Sequence, residues 1–425
     1  MKIILHAFLL FSLASAAAAG PFEQLREGAE PPSVPEPSLT AETAAQYLQG
    51  DSRYWVTVMA DDKYDRTALL EAGLDIVEIN KTTVAGFIEK AEMESLAAKG
   101  FIVKNRQAIQ EYAKKHLKDF PAADAVYHNY QETLDELKGL AAANPGETSL
   151  FSIGRTIEGR DIWCLRINPA EKGETPSARP AAFFMGNHHA REHLSNEVAL
   201  GLAAHLLARK GEPEIKKYLE TLDIYIAPLT NPDGAEYDIQ TGKYRWHRKN
   251  TRINADKTIG VDLNRNYDSL WCQAGSSHYP SADTYCGPYA FSEPETQAVR
   301  NFVEARKNLK TLMSYHSYSS LLLYPWAGKA VPVENEKDRK VFEAMAKGMT
   351  AFTGYKPEQS SDLYVATGDT TDWAYSARGI FSFTTELEGT TFYPGAAMIE
   401  KAASKNIKAA VYLLSVTDDP YKLAR

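Results

Sequence analysis

Cysteine is scarce in this chain: three residues in 425, so at most one intrachain disulfide can form and a disulfide-built scaffold is excluded. Long apolar runs are missing beyond the first residues, and nothing downstream approaches the roughly 20 residues that a membrane helix needs. No block of Lys and Arg interleaved with aromatics occurs, and the formal net charge is −8, which argues against nucleic acid or another polyanion as partner. No internal repeat is visible.

Apolar surface, by contrast, is plentiful. With 44% hydrophobic residues the chain can build a large core, and its length exceeds one average domain, so at least two folded units are expected. The opening "MKIILHAFLLFSLASAAAAG" has a positive start, an apolar stretch of about ten residues and small residues of the A-x-A kind, which reads as a secretory signal peptide over residues 1–19. The product is expected outside the cytoplasm, secreted or periplasmic, as a soluble monomer. In that oxidising setting Cys272 and Cys286, which flank the loop "WCQAGSSHYPSADTYCG", are expected to pair. Cys164, inside "DIWCLRI", reads as a small buried hydrophobe.

After a Pro- and Glu-rich tether, strand-like and helical stretches follow in the order β-α-β-β-α-β from about Tyr54 to Asn105, which predicts a small α+β sandwich. A charged helical connector, "QAIQEYAKKHLKDFPAAD", leads to a boundary near Lys118. Beyond it, apolar runs of strand length ("DIWCLRI", "RPAAFFMG", "LDIYIAPL", "LKTLMSY", "IFSFTTE") alternate with helical stretches such as "NEVALGLAAHLLAR" and "SEPETQAVRNFVEAR". That alternation predicts an α/β fold with a mixed, mainly parallel sheet covered by helices on both faces.

Four of these runs end in residues that chemistry can use: "AAFFMG" in Asn187, His188, His189, Arg191 and Glu192, "IYIAPL" in "TNPDG", "TLMSY" in His316, and "FSFTT" in Glu386. Ligands of open α/β sheets sit outside the carboxyl ends of the strands, so these ends are expected to converge on one crevice. A catalytic zinc commonly takes three ligands from His and carboxylate and leaves a fourth position free. His189 and Glu192, three apart on a turn, with His316 from a distant strand, fit that set. The residues alone leave another reading open, in which His189 and Glu192 form a surface ion pair and His316 is a hydrogen-bonded core histidine.

"HARE", "IGVDLNRNYD", "MSYHSYSSLLLYPW", "LYVATGDTTDWAY" and "FSFTTELEG", in this order and spacing, resemble the zinc metallocarboxypeptidase family of the carboxypeptidase A and B type. The likeness runs from Tyr127 to the C-terminus and is nearest in pattern to secreted bacterial carboxypeptidase T-like enzymes. It implies one Zn²⁺ in the domain spanning 119–425, held by His189, Glu192 and His316. It further implies Glu386 as general base, Asp262 orienting a ligand histidine, and Asn264 with Arg265 as the clamp for a substrate's free carboxylate. Tyr364 corresponds to a mobile phenol, Arg191 and Tyr318 to further substrate contacts. For the arginine that stabilises the oxyanion the segment "YRWHRKNTR" departs from the family's "WRK"; Arg248 is the assignment, with Arg245 and Arg252 open. His188 and His193 match no metal position and read as structural.

By the same resemblance, residues 20–118 are a propeptide that acts as intramolecular inhibitor until an activating protease cuts the basic connector "YAKKHLKD". The activity implied is removal of single C-terminal residues from peptides and proteins. The pocket for the departing side chain would be lined by Ser314, Leu323, Ala327, Leu363, Ala366, Asp369, Thr371 and Thr384, and Asp369 in a mostly apolar wall implies release of both hydrophobic and basic residues. Two other readings are set beside this one: a cell-wall muropeptide hydrolase of the same fold, and a zinc-free binding module.

Overall fold

The protein is described by a computed structural model covering residues 52–109, 111–112, 124–239 and 244–425. The signal segment, the tether and the boundary near Lys118 lie outside the described residues.

The first unit follows the expected order. Strand β1 (Arg53–Met59), the helix Lys63–Glu71, β2 (Asp75–Ile79), β3 (Thr83–Glu89), the helix Lys90–Leu96 and β4 (Val103–Ala108) form an antiparallel sheet ordered β2-β3-β1-β4. Asp62 starts the first helix by accepting from the backbone N–H groups of Tyr64 and Asp65. Alternation sorts the side chains: Val56, Val58, Val84 and Ile88 pack beneath the helices against Leu69 and Leu96, while Trp55, Ala85 and Phe87 emerge on the opposite face. Gly86 is required where β3 meets β2, because a Cβ there would stand 1.9 Å from Asp75 O. Helical structure begins later in the connector than the sequence pattern indicates, since β4 runs on through Ala108.

The second unit is an eight-stranded sheet ordered β11-β10-β12-β9-β7-β8-β6-β5. Its strands are β5 (Thr148–Arg155), β6 (Asp161–Ile167), β7 (Ala181–Gly186), β8 (Asp223–Ala227), β9 (Leu309–Ser317), β10 (Leu321–Tyr324), β11 (Lys356–Gln359) and β12 (Phe381–Leu387). The central run β12-β9-β7-β8 is parallel, β10 and β11 pair parallel at one edge, and β5, β6 and the β10/β12 pairing are antiparallel. The mixed, mainly parallel α/β architecture is therefore as expected. Successive residues of β7 point to opposite cores: Ala182 and Phe184 pack against the helices His193–Ala208, Glu336–Thr353 and Ala397–Thr417, while Phe183 and Met185 pack against Pro294–Glu304 and Thr370–Arg378. Fully burying each such aromatic contributes roughly 1.5–3 kcal/mol. Cys272 and Cys286 form the disulfide, and Cys164 is a buried free thiol.

The sandwich lies on the carboxyl edge of this sheet. Trp55, Phe87 and Tyr112 join Tyr244, Trp246, Phe392 and Tyr393 in one aromatic cluster, with Phe87 and Trp246 ring centroids 5.0 Å apart.

Candidate active site

Strands β7, β9 and β12 run the same way, so their carboxyl ends open on one edge. At the end of β7 the chain must turn at once into the helix His193–Ala208. Gly186 permits this, since a Cβ there would meet Ser195 O at 2.5 Å, and Asn187 adopts a left-handed φ of 54°. Ser195 closes the turn by accepting from Asn187 N at 2.8 Å and donating to Glu192 O at 2.5 Å. His189 and Glu192 are thereby brought against His316 near the end of β9.

His189 Nδ1 lies 2.8 Å from Glu192 Oε1, and His316 Nδ1 lies 3.0 Å from Glu192 Oε2 and 3.1 Å from His189 Nδ1. The far nitrogens are engaged elsewhere, His189 Nε2 with Asp262 Oδ1 at 3.2 Å and His316 Nε2 with Ser314 Oγ at 3.1 Å. Two imidazole nitrogens and a carboxylate thus face a common point, an arrangement that a shared cation satisfies. The donor set suits zinc, and the outer partners fix each ring by its second nitrogen, as they do around zinc. Among the described residues one other cluster has ligand atoms this close, Cys272, His278 and Cys286, and its thiols are consumed by the disulfide.

The surroundings are charged and mostly buried. Asp262 also accepts from Arg248 Nε at 3.0 Å; burial would raise its carboxyl, but Arg248 and His189 hold it well below the usual range. Glu386, near the end of β12, is pushed up to about 8, first by burial and then by Glu192, before any metal charge acts on it. Arg265 is anchored through its guanidinium on Gly275 O at 3.1 Å and Asn264 O at 2.8 Å. Asn264 takes two hydrogen bonds on Oδ1 from Thr370, one from the backbone N–H and one from the hydroxyl.

One cavity of about 340 Å³ gathers His189, Glu192, Arg248, Asn264, Arg265, Tyr364 and Glu386, with Arg191 and Tyr318 also in its lining. Arg248 alone of the three candidate arginines faces it. Arg245 donates to Tyr237 O over the Tyr237 ring, and Arg252 pairs with Glu293. Of the expected side-chain pocket, Leu323, Ala327, Leu363, Ala366, Asp369 and Thr384 line the cavity. Ser314 and Thr371 do not. Ser314 is spent on His316, and the Thr371 hydroxyl donates to Asp369 Oδ2 at 2.8 Å. Asp369 also caps the helix Thr370–Arg378 by accepting from Asp372 N, so its carboxylate is held at the pocket wall. The end of β8 contributes scaffold rather than chemistry: Asn231 braces His188 O and Lys249 O, and Asp233 turns away to Thr156 and Arg160. His193 is structural as expected, bonded to Asp238.

The residue that sequence reasoning missed is Asp75. It enters the same cavity from the sandwich, with Ile76, Val77 and Ile79, and pairs with both Arg191 and Arg248. No local pattern in "LDIVEI" distinguishes it from any acid at a strand start.

Residues 133–409 match the family model described as Zinc carboxypeptidase. The chain belongs to the zinc carboxypeptidase family. Among its relatives, the zinc carboxypeptidase of Saccharothrix mutabilis subsp. capreolus is 31% identical over 387 residues, covering 85% of this chain and 88% of that protein. Carboxypeptidase A1 of Homo sapiens is 34% identical over 274 residues, covering 63% of this chain and 64% of the relative. Among solved structures, carboxypeptidase A from Helicoverpa armigera superposes with a TM-score of 0.72 at 23% identity, covering 87% of this chain and 98% of the other, which establishes the shared fold. This zinc carboxypeptidase is accordingly a metal-dependent hydrolase, and His189, Glu192 and His316 are the cluster in it that fits the family's zinc.

Proposed function

We propose that this enzyme is an exported carboxypeptidase, made as a zymogen, that removes single C-terminal residues of hydrophobic or basic type. The observation that carries the reading is one cavity joining a His-Glu-His cluster to a fixed guanidinium and amide, Arg265 and Asn264. An exopeptidase needs that pairing, because a planar guanidinium beside the metal site sets the terminal carboxylate at one distance from the reacting bond.

A zinc held by His189, Glu192 and His316 would supply Lewis acidity to the scissile carbonyl and to water. Glu386, half-buried and raised, accepts the water proton and returns it to the leaving amine. Arg248, kept charged by Asp262, offers donors to the oxyanion that develops. Asp262 orients His189, Tyr364 closes over the bound residue, and Arg191 and Tyr318 take the chain upstream of it.

Residues 20–118 are the propeptide in this reading and 119–425 the catalytic domain, acting as a monomer outside the cytoplasm after loss of residues 1–19. Latency is supported by the lid that β2 forms: Asp75 takes the two arginines that substrate would need, and the helix Lys63–Glu71 holds the Tyr364 loop, Thr67 bonding Val365 N and O and Arg66 reaching Leu363 O. The test is release of free amino acid from a peptide with an unblocked C-terminus, before and after limited trypsin, with and without chelator. Activity that rises on cleavage, vanishes on chelation and returns with zinc is expected. Full activity in the metal-free protein would overturn the assignment.

A further inference from the structure

His188 has none of the roles above, yet it is buried between the metal cluster and the carboxylate clamp. Its Nδ1 lies 3.2 Å from Ser314 Oγ, which lies 3.1 Å from His316 Nε2. Its Nε2 lies 2.9 Å from the Tyr267 hydroxyl and 3.3 Å from Thr370 Oγ1. Thr370 in turn donates to Asn264 Oδ1 from its hydroxyl at 2.9 Å and from its backbone N–H at 3.0 Å. The His188 ring is stacked parallel to that of His316, 8° between planes at 5.6 Å, and its carbonyl is held by Asn231 Nδ2 at 3.0 Å.

Counting protons gives this chain one direction. His316 turns Nδ1 toward Glu192, so as a metal ligand it carries its proton on Nε2 and donates it to Ser314. A hydroxyl has one proton, so Ser314 donates onward to His188 Nδ1. An imidazole that accepts at Nδ1 holds its proton on Nε2 and gives it to the hydroxyl oxygens of Tyr267 and Thr370. Thr370 then has its own proton for Asn264. Aligned donors reinforce one another in a low-dielectric interior. With Oδ1 occupied twice, Asn264 can turn only its NH₂ group outward, the end that a carboxylate recognises.

We propose that His188 is a positioning residue coupling the metal ligand His316 to the carboxylate clamp at Asn264, fixing the tautomer of one and the amide orientation of the other. The proposal rests on the roles given above to those two residues.

An Asn side chain puts an acceptor where the imidazole has Nδ1, and Gln puts a donor where it has Nε2. His188→Asn therefore keeps the bond from Ser314 and loses the one to Thr370, while His188→Gln does the reverse. Both are made in the full chain, and zinc affinity is read by chelator competition, KM and kcat after limited proteolysis. His188→Asn should raise KM about fivefold, the loss of roughly one hydrogen bond, with zinc affinity within about twofold of the parent. His188→Gln should weaken zinc about tenfold, as removal of an outer partner does, and leave KM within about twofold. If either variant does not fold, Thr370→Val carries the expectation of His188→Asn and Ser314→Ala that of His188→Gln. A packing role alone predicts that both variants move both readouts together or move neither, and either result would overturn the coupling. Asn264→Ala separates the layers: a raised KM there with none in His188→Asn rejects the relay and keeps the clamp, whereas an unchanged KM rejects the clamp and the relay with it.

Discussion

Asp75 Oδ1 lies 3.4 Å from Arg248 Nη1, and its second oxygen accepts from Arg191 Nη2. A carboxylate at the start of β2 thus engages two guanidinium groups of the cleft, all three side chains buried. Breaking a buried ion pair from one side costs about 3–5 kcal/mol, because the partner charge is left uncompensated. Asp75→Asn should therefore loosen the sandwich and raise the activity of the uncleaved chain at least about tenfold, while the trypsin-treated enzyme is unchanged. The measurement is the ratio of activities before and after cleavage. An uncleaved variant no more active than the uncleaved parent would take Asp75 out of the proposed hold and leave the aromatic contact of Phe87 with Trp246 and the helix Lys63–Glu71.

The metal cluster could be read in the sequence because its two parts close apolar runs that become the buried parallel strands β7 and β9, and Glu386 closes a third such run, β12. The edge was less legible. Strands β10 and β11 have four residues each, too few to show a period, and β5 buries only Thr148 and Phe151 of its eight residues, so it shows no period-2 pattern. Asp75 and His188 were opaque for another reason. Their meaning comes from partners 116 and 126 positions away, Arg191 and Ser314, which no local spacing encodes.

Glu386 is the group whose loss should separate chemistry from binding. Glu386→Gln keeps the shape and removes the proton acceptor, so kcat should fall by at least about 10²-fold. Zinc content, read by elemental analysis, should stay at that of the parent, since His189, Glu192 and His316 are untouched. Turnover close to the parent's would remove Glu386 from the mechanism.

Glu295 gives a pH dependence away from the metal. Burial pushes its carboxyl up to about 8, and Glu293 and Asp233 add to the rise, against hydrogen bonds from its own backbone N–H and from Asn250 Nδ2 at 3.2 Å. An unfolded Glu titrates near ~4.3, so between these values the folded state binds the extra proton. The resulting stability is complete below the unfolded value and is lost as pH rises through about 8. Thermal unfolding should show Tm falling from pH 5 to pH 9, and Glu295→Gln should fall less. Asp369 and Asp372 are also raised and titrate in the same sense, so the variant keeps part of the slope. Identical slopes in parent and variant would exclude Glu295 as a source.

Asp369 tests specificity. Its carboxylate accepts from Asp372 N at 2.7 Å and from the Thr371 hydroxyl at 2.8 Å, and it lines the cavity together with Leu323, Ala327, Leu363, Ala366 and Thr384. Apolar side chains gain there by burial at roughly 25 cal/mol per Å² and do not need the acid. A Lys or Arg side chain gains from it, because burial has raised this carboxyl and a cation alongside would restore its charged form. Asp and Glu bring no cation and should be disfavoured, because two carboxylates at one buried wall cannot both stay ionised. Asn caps helices as well as Asp does, so Asp369→Asn should leave the helix Thr370–Arg378 in place. Kinetics on a panel of C-terminal residues should then show kcat/KM for Arg and Lys reduced about tenfold, with Leu and Phe within about twofold, the difference expected from one partly solvated ion pair. Because the carboxyl is raised, the parent's preference for basic over apolar residues should also grow with pH, and the variant's should not. Equal losses for both classes, or none for either, would take Asp369 out of substrate selection and leave it as a helix cap.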